Sequence, residues 1–240
     1  MSRGLTGVHL LESAGSLLMK PTVTVASTHT PDGSSMTLHE HDGQYFLKVA
    51  NLQLMSTTAS SSEEQMAELA CAILPKNPHI LIGGLGFGFT LKRVLELTGP
   101  DARVAVAELM PEIVEWNRQY LAEVNGRLLD DPRVKILVQD VYEIIDRCGS
   151  DRFDAILLDV DNGPDPFVQK GNGRLYQGSG LVRIKAALKP KGRVIFWSAN
   201  QDKSFVKLLS KSFKNVEAIS AKAYPKAKRF THTLFVADRD

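Results

Sequence analysis

Between Ile82 and Thr90 an apolar run ends in Gly83-Gly84-Leu85-Gly86-Phe87-Gly88 and gives way to residues with helical spacing. Glycine is needed where the backbone must turn sharply and lie against a ligand with no Cβ in between. Alone, such a turn is weak evidence, because any tight strand-to-helix turn can use two glycines. Glu108 adds to it. It closes the next apolar run, and a carboxylate at that place can accept hydrogen bonds from both hydroxyls of a ribose. Asp140 ends a third run, where it or the neighbouring amide of Val141 can meet an adenine amino group; it is equally placed to cap a helix. Asp159 sits at the mouth of a fourth run, placed to take a proton. The plain alternatives are a solvated strand-end acid for Glu108 and a loop cap for Asp159. Read together, Gly83, Gly84, Leu85, Gly86, Gly88, Glu108, Leu109, Asp140, Val141 and Asp159 are expected to line a nucleoside site.

The elements that must position these residues are legible from periodicity. Strands are expected at 79–82, 103–107, 134–138, 155–158 and 194–197, with helices near 90–97, 111–121, 141–147, 181–188 and 204–212. Such alternation gives a parallel sheet covered on both faces, with ligands at the carboxyl ends of its strands. Segments 216–221 and 231–237 are joined without a helix, which implies an antiparallel pair. The expected fold is therefore α/β and Rossmann-like. It is a mostly parallel seven-stranded sheet with an antiparallel C-terminal pair, the pattern of class I S-adenosylmethionine-dependent methyltransferases. Ahead of it, Val23, Val25, Met36, Leu38, Tyr45, Leu47 and Val49 alternate between turn signals at Pro31-Asp32-Gly33 and Asp42-Gly43, as in β-hairpins. Residues 1–58 are thus expected to form a hairpin region and 59–240 a catalytic domain. Ser60-Ser61-Ser62-Glu63-Glu64 reads as a helix start, followed by Met66, Leu69, Ala70, Ile73 and Leu74 at helical spacing.

Composition narrows the class. Of 240 residues, 43% are hydrophobic and 23% charged, with a net charge of +2, too mild to imply nucleic acid. No apolar run has the length of a membrane span, and no leader peptide is read at the N-terminus, so a cytoplasmic protein is expected. Cys71 and Cys148 lack metal-ligand spacing, as do His39, His41, His79 and His232, so no metal is expected. The basic segment 222–230 reads as a solvated loop in preference to a nucleic-acid surface. Trp116 and Trp197 read as packing residues.

Several segments together resemble the spermidine synthase-like polyamine aminopropyltransferase family. They are Thr37-Leu38-His39-Glu40-His41-Asp42-Gly43 with Tyr45-Phe46-Leu47, Val106-Ala107-Glu108-Leu109-Met110-Pro111, Phe153-Asp154-Ala155-Ile156-Leu157-Leu158-Asp159, Leu175-Tyr176 and Leu188-Lys189-Pro190-Lys191-Gly192. The resemblance implies Asp159 as the catalytic base and Asp161, Asn162 and Tyr176 as residues holding a small amine acceptor. It implies S-adenosylmethionine or its decarboxylated form as donor; a homodimer is expected. Two departures stand out. The family's glycine loop carries an aspartate facing the donor's aminopropyl ammonium, and Leu85 is read at that place. A second aspartate three residues beyond the catalytic acid is replaced by Asn162. At an effective dielectric near 20, a charge pair about 4 Å apart is worth roughly 4 kcal/mol. Losing that aspartate removes a device against the full cofactor, so methyl transfer is expected slightly ahead of aminopropyl transfer. A non-catalytic nucleoside-binding homologue is the further alternative.

Overall fold

The hairpin signals produce a four-stranded antiparallel sheet in the order β1 (Val23–His29), β2 (Ser35–His41), β3 (Gln44–Val49) and β4 (Leu52–Ser56). The structure, a computed structural model, describes residues 21–160 and 170–240. In the β2–β3 register Met36 faces Val49 and Leu38 faces Leu47, and all four are buried, so one face of this sheet is apolar. Asp42 and Gly43 both take positive φ (50° and 77°), the conformation that lets two-residue turns follow strand twist. Ala50 and Asn51 do the same between β3 and β4 with no glycine (φ 47° and 68°). Asn51 suits that conformation, but Ala50 does not mark it.

After α1 (Ser61–Cys71) the chain alternates through β5 (His79–Gly83), α2 (Phe89–Leu97), β6 (Arg103–Glu108), α3 (Pro111–Gln119) and the short α4 (Ala122–Asn125). It continues through β7 (Val134–Val138), α5 (Val141–Arg147), β8 (Phe153–Leu158), α6 (Gly178–Ala187), β9 (Leu188–Ser198), α7 (Lys203–Leu209), β10 (Lys214–Ala221) and β11 (His232–Asp238). The seven strands lie in the order β10-β11-β9-β8-β5-β6-β7. Pairings from β9 through β7 are parallel, while β11 runs antiparallel to both its neighbours. This is the α/β architecture expected from the alternation. Strand residues alternate between two cores. Ile82, Leu157 and Ile195 join the one that includes the apolar face of the four-stranded sheet, and Leu81, Ile156 and Phe196 join the other. Burial on both faces is why these strands read as unbroken apolar runs.

Of the boundaries that depart from expectation, three show how. α1 ends at Cys71, leaving Ile73 exposed, two residues before Pro75. α6 begins at Gly178, because a Cβ at Gly180 would lie 2.1 Å from the Arg174 carbonyl oxygen, so only glycine lets the helix start there. β9 begins at Leu188, not Val194. Phe153 pairs with Leu188 but Ala155 with Arg193, so Lys189-Pro190-Lys191-Gly192 bulges out of the ladder.

Candidate active site

From β5 the chain passes to β6 and β7 on one side, while β8 lies on the other, so the strand order reverses at β5. Open parallel sheets bind ligands in the crevice outside such a reversal. A cleft of about 740 Å³, counting its open mouth, lies there. Gly84, Gly86, Glu108, Leu109, Asp140, Val141 and Asp159 line it, drawn from the ends of four neighbouring strands. Its other wall comes from the four-stranded sheet, through Met36, Val49 and Met55 among others. The alternation of β2 and β3 foretold that Met36 and Val49 are inward, but not that they face a ligand cleft.

Two backbone contacts set the turn at the end of β5. The Gly84 N–H donates to the Ala107 carbonyl (2.8 Å), and the Asp159 N–H donates to the Gly83 carbonyl (2.9 Å). Gly84 has φ +90°, and a Cβ there would lie 2.0 Å from the Asp159 carbonyl oxygen. The two strand ends therefore meet only because Gly84 has no side chain. Gly83 lets α5 pack closely, since its Cβ would lie 2.9 Å from a Val141 methyl. We expect Gly84→Ala to lose about 1–3 kcal/mol from the left-handed backbone alone. At roughly 2–4 °C per kcal/mol for a chain of this size, the clash aside, thermal unfolding should show a clearly lower midpoint. An unchanged midpoint would mean that the turn relaxes freely.

Glu108 is buried at the base of the cleft, and its carboxylate accepts from the Leu85 and Met110 N–H groups, both at 2.9 Å. Burial pushes its carboxyl pKa above the ordinary value, although the amides of Met110, Leu85, Leu109 and Gly86 pull the other way. An acid held in this manner has defined orientation and remaining lone-pair capacity. Asp140 performs the capping role left open above. One oxygen accepts from the Tyr142 N–H at the start of α5 (2.8 Å), and the other pairs with Arg174 (2.8 Å), whose guanidinium lies 4.3 Å from the Tyr142 ring centre. Each oxygen keeps a further lone pair, and the adjoining backbone of Val141 and the side chain of Gln139, also in the wall, stand beside it where a base edge can be met. Arg174 had no motif to announce it.

Other expected site residues lie elsewhere. The Leu85 side chain is buried in the core and does not line the cleft; what Leu85 offers the site is its N–H to Glu108. Gly88 also stands back from the lining, as the left-handed residue that opens α2 (φ 85°). The Tyr176 ring is packed between Phe196 and Phe205, with centroids 5.5 and 5.3 Å away, so it belongs to the second core and not to the cleft wall. Asp161 and Asn162 lie outside the described residues. Among the described residues no helix is long and apolar enough to cross a membrane.

Comparison with known proteins bears on this arrangement. Residues 60–234 match the spermine/spermidine synthase domain. The polyamine aminopropyltransferase 1 of Hyperthermus butylicus is 30% identical over 163 residues, covering 67% of this chain and 54% of that protein. The polyamine aminopropyltransferase of Pyrobaculum calidifontis is 28% identical over 139 residues, covering 57% and 47%. The chain thus spans about half the length of these curated relatives. The fold overlays a spermidine synthase crystallised with the transition-state analogue AdoDATO at a TM-score of 0.75 and 20% identity, covering 90% of this chain and 74% of that one. The spermidine synthase of Thermotoga maritima gives a TM-score of 0.72 at 20% identity, covering 90% and 73%. With the domain match running from the start of α1 into β11, the chain belongs to the spermine/spermidine synthase family.

Proposed function

We propose that this protein transfers an aminopropyl group from decarboxylated S-adenosylmethionine to a small amine. The observation that carries the reading is the charge of the cleft. Its described lining holds the carboxyl groups of Glu108, Asp140 and Asp159 and no lysine, arginine or histidine. The decarboxylated donor presents a sulfonium and an ammonium and no carboxylate, so its charges suit such walls. The carboxylate of full S-adenosylmethionine would meet no basic partner among those residues, and Arg174 is paired with Asp140. The expectation of methyl transfer rested on an aspartate missing at Leu85. With the Leu85 side chain in the core and outside the cleft wall, that position does not mark the donor's amino-acid end, and the missing charge there does not favour the full cofactor. The names of the relatives point the same way.

In this reading Glu108 accepts from the ribose hydroxyls, while Gly84 and Gly86 let the backbone approach the donor. The sulfonium makes the transferred carbon electrophile enough, so the protein's tasks are alignment and proton removal. Transfer forms a carbon–nitrogen bond and breaks the carbon–sulfur bond, and Asp159 takes the proton that the amine loses.

Initial rates with both donors and a panel of diamines, with products identified by mass spectrometry, test the proposal. We expect aminopropylated amine and 5′-methylthioadenosine, with kcat/KM at least tenfold higher for the decarboxylated donor, about 1.4 kcal/mol. Methylated amine and S-adenosylhomocysteine as the main products would overturn it.

A further inference from the structure

We propose that Asn117 and Asn125 are positioning residues that hold the glycine turn in its ligand-ready shape, and through it set the affinity for the donor nucleoside. Donor binding here rests on the function proposed above; the shape of the turn does not. Asn117 lies on α3 and Asn125 ends α4, and both are buried polar residues. The Asn117 side-chain amide donates to the Gly86 carbonyl (2.8 Å) and to the Ile113 carbonyl one helical turn back (2.8 Å). The Asn125 amide donates to the very next carbonyl, that of Phe87. Two consecutive carbonyls of the turn are therefore fastened to one helical layer.

The consequence follows from peptide geometry. In a planar trans peptide the carbonyl and the following N–H point in opposite directions. Fixing the Gly86 carbonyl against α3 turns the Phe87 N–H to the other side of the loop. The Gly88 N–H, whose peptide is fixed through the Phe87 carbonyl, donates to the Leu85 carbonyl (2.8 Å) and closes the turn. Gly86 and Gly88 have φ of +50° and +85°, values open to glycine without strain, so the side-chain hydrogen bonds select this shape from the several that glycine permits. The Asn117 amide oxygen also sits 3.2 Å from where a Gly88 Cβ would be, so the same side chain backs the turn from behind. At its front the turn supplies the Leu85 N–H that grips Glu108.

Asn125 shows which end of the amide matters. Its Oδ1 is buried without a hydrogen-bond partner among the described residues, while its NH2 end is used on Phe87. Turning the amide over would set oxygen against oxygen. The side chain is therefore oriented by the Phe87 carbonyl and not by a donor for its own oxygen.

The test uses Asn117→Leu and Asn125→Leu in the full chain, with 5′-methylthioadenosine as calorimetric probe. Hydrogen exchange is followed over the Gly83–Gly88 segment. Each variant should exchange this segment at least tenfold faster and bind the probe at least tenfold more weakly. Asn125→Leu leaves the Phe87 carbonyl buried without that donor, so the unfolding midpoint should fall as well; faster exchange confined to Gly83–Gly88, with β6 and β8 protected as in the parent, is the readout that a general loss of stability would not give. If leucine does not fit, Asn117→Ser and Asn125→Ser fall short of the carbonyls and make the same prediction. Unchanged exchange in the turn, with probe affinity within twofold of the parent, would overturn the proposal. If the parent itself fails to bind the probe, the donor reading falls. Exchange in the turn then decides the positioning role by itself.

Discussion

Asp159→Asn should leave nucleoside affinity within about twofold of the parent while lowering turnover by ~10²–10⁴-fold, the span of general-base catalysis. The substitution keeps the shape of the side chain and removes its ability to hold a proton. The backbone at this position is fixed independently, by the N–H bond to the Gly83 carbonyl, so the strand end should not move. An amine acceptor is mostly protonated near neutrality, its pKa lying near that of lysine at ~10.4. The deficit should therefore shrink as pH rises towards that value and free amine accumulates. Initial rates at saturating donor and acceptor across that range provide the check. Near-parental turnover at neutral pH would make Asp159 a structural acid and send the search for the base elsewhere.

That Asp159 and Gly84 meet was legible in the sequence only as two strand ends of one parallel sheet. The alternation of apolar runs and helices determines the parallel sheet, and the sheet determines which edge receives ligands. β7 was read to the residue, because Val134–Val138 is bounded by Pro132 on one side and Asp140 on the other. Side-chain direction inside an irregular turn has no period to read. Leu85 follows a strand but sits where the backbone has left strand geometry, so spacing did not show that its side chain enters the core. The packing of Tyr176 was hidden for a related reason: its neighbours in the core, Phe196 and Phe205, come from two other elements. Asn117 and Asn125 form no motif with each other. They become visible only on asking where the carbonyls of a four-glycine turn find their donors. The start of β9 was hidden because Pro190 and Gly192 mark a turn in any local reading, and here that turn is a bulge within the strand.

Glu108→Gln should weaken nucleoside binding by about 1.5–3 kcal/mol, the range for hydrogen bonds to a charged group, or roughly 10–150-fold. The pH dependence distinguishes a ligand-binding acid from a structural one. Burial raises the Glu108 carboxyl pKa above its ordinary value. Protonation of the folded protein therefore begins at a higher pH than for the unfolded chain. A proton removes an acceptor position, so nucleoside affinity should be complete above the raised pKa and fall as pH drops through it. Stability of the ligand-free protein should move the other way. The folded state binds the proton more readily than the unfolded state, so Glu108's contribution to stability is larger on the acid side and is lost as pH rises through the same window. The difference between parent and Glu108→Gln isolates both effects, because every other titrating group is common to the two proteins. Calorimetric titrations with 5′-methylthioadenosine and chemical denaturation, each run upward from the ordinary glutamate pKa of about 4.3, should give opposite slopes in that difference. If the affinity difference is flat while the stability difference is not, Glu108 organises the glycine turn without touching the ligand.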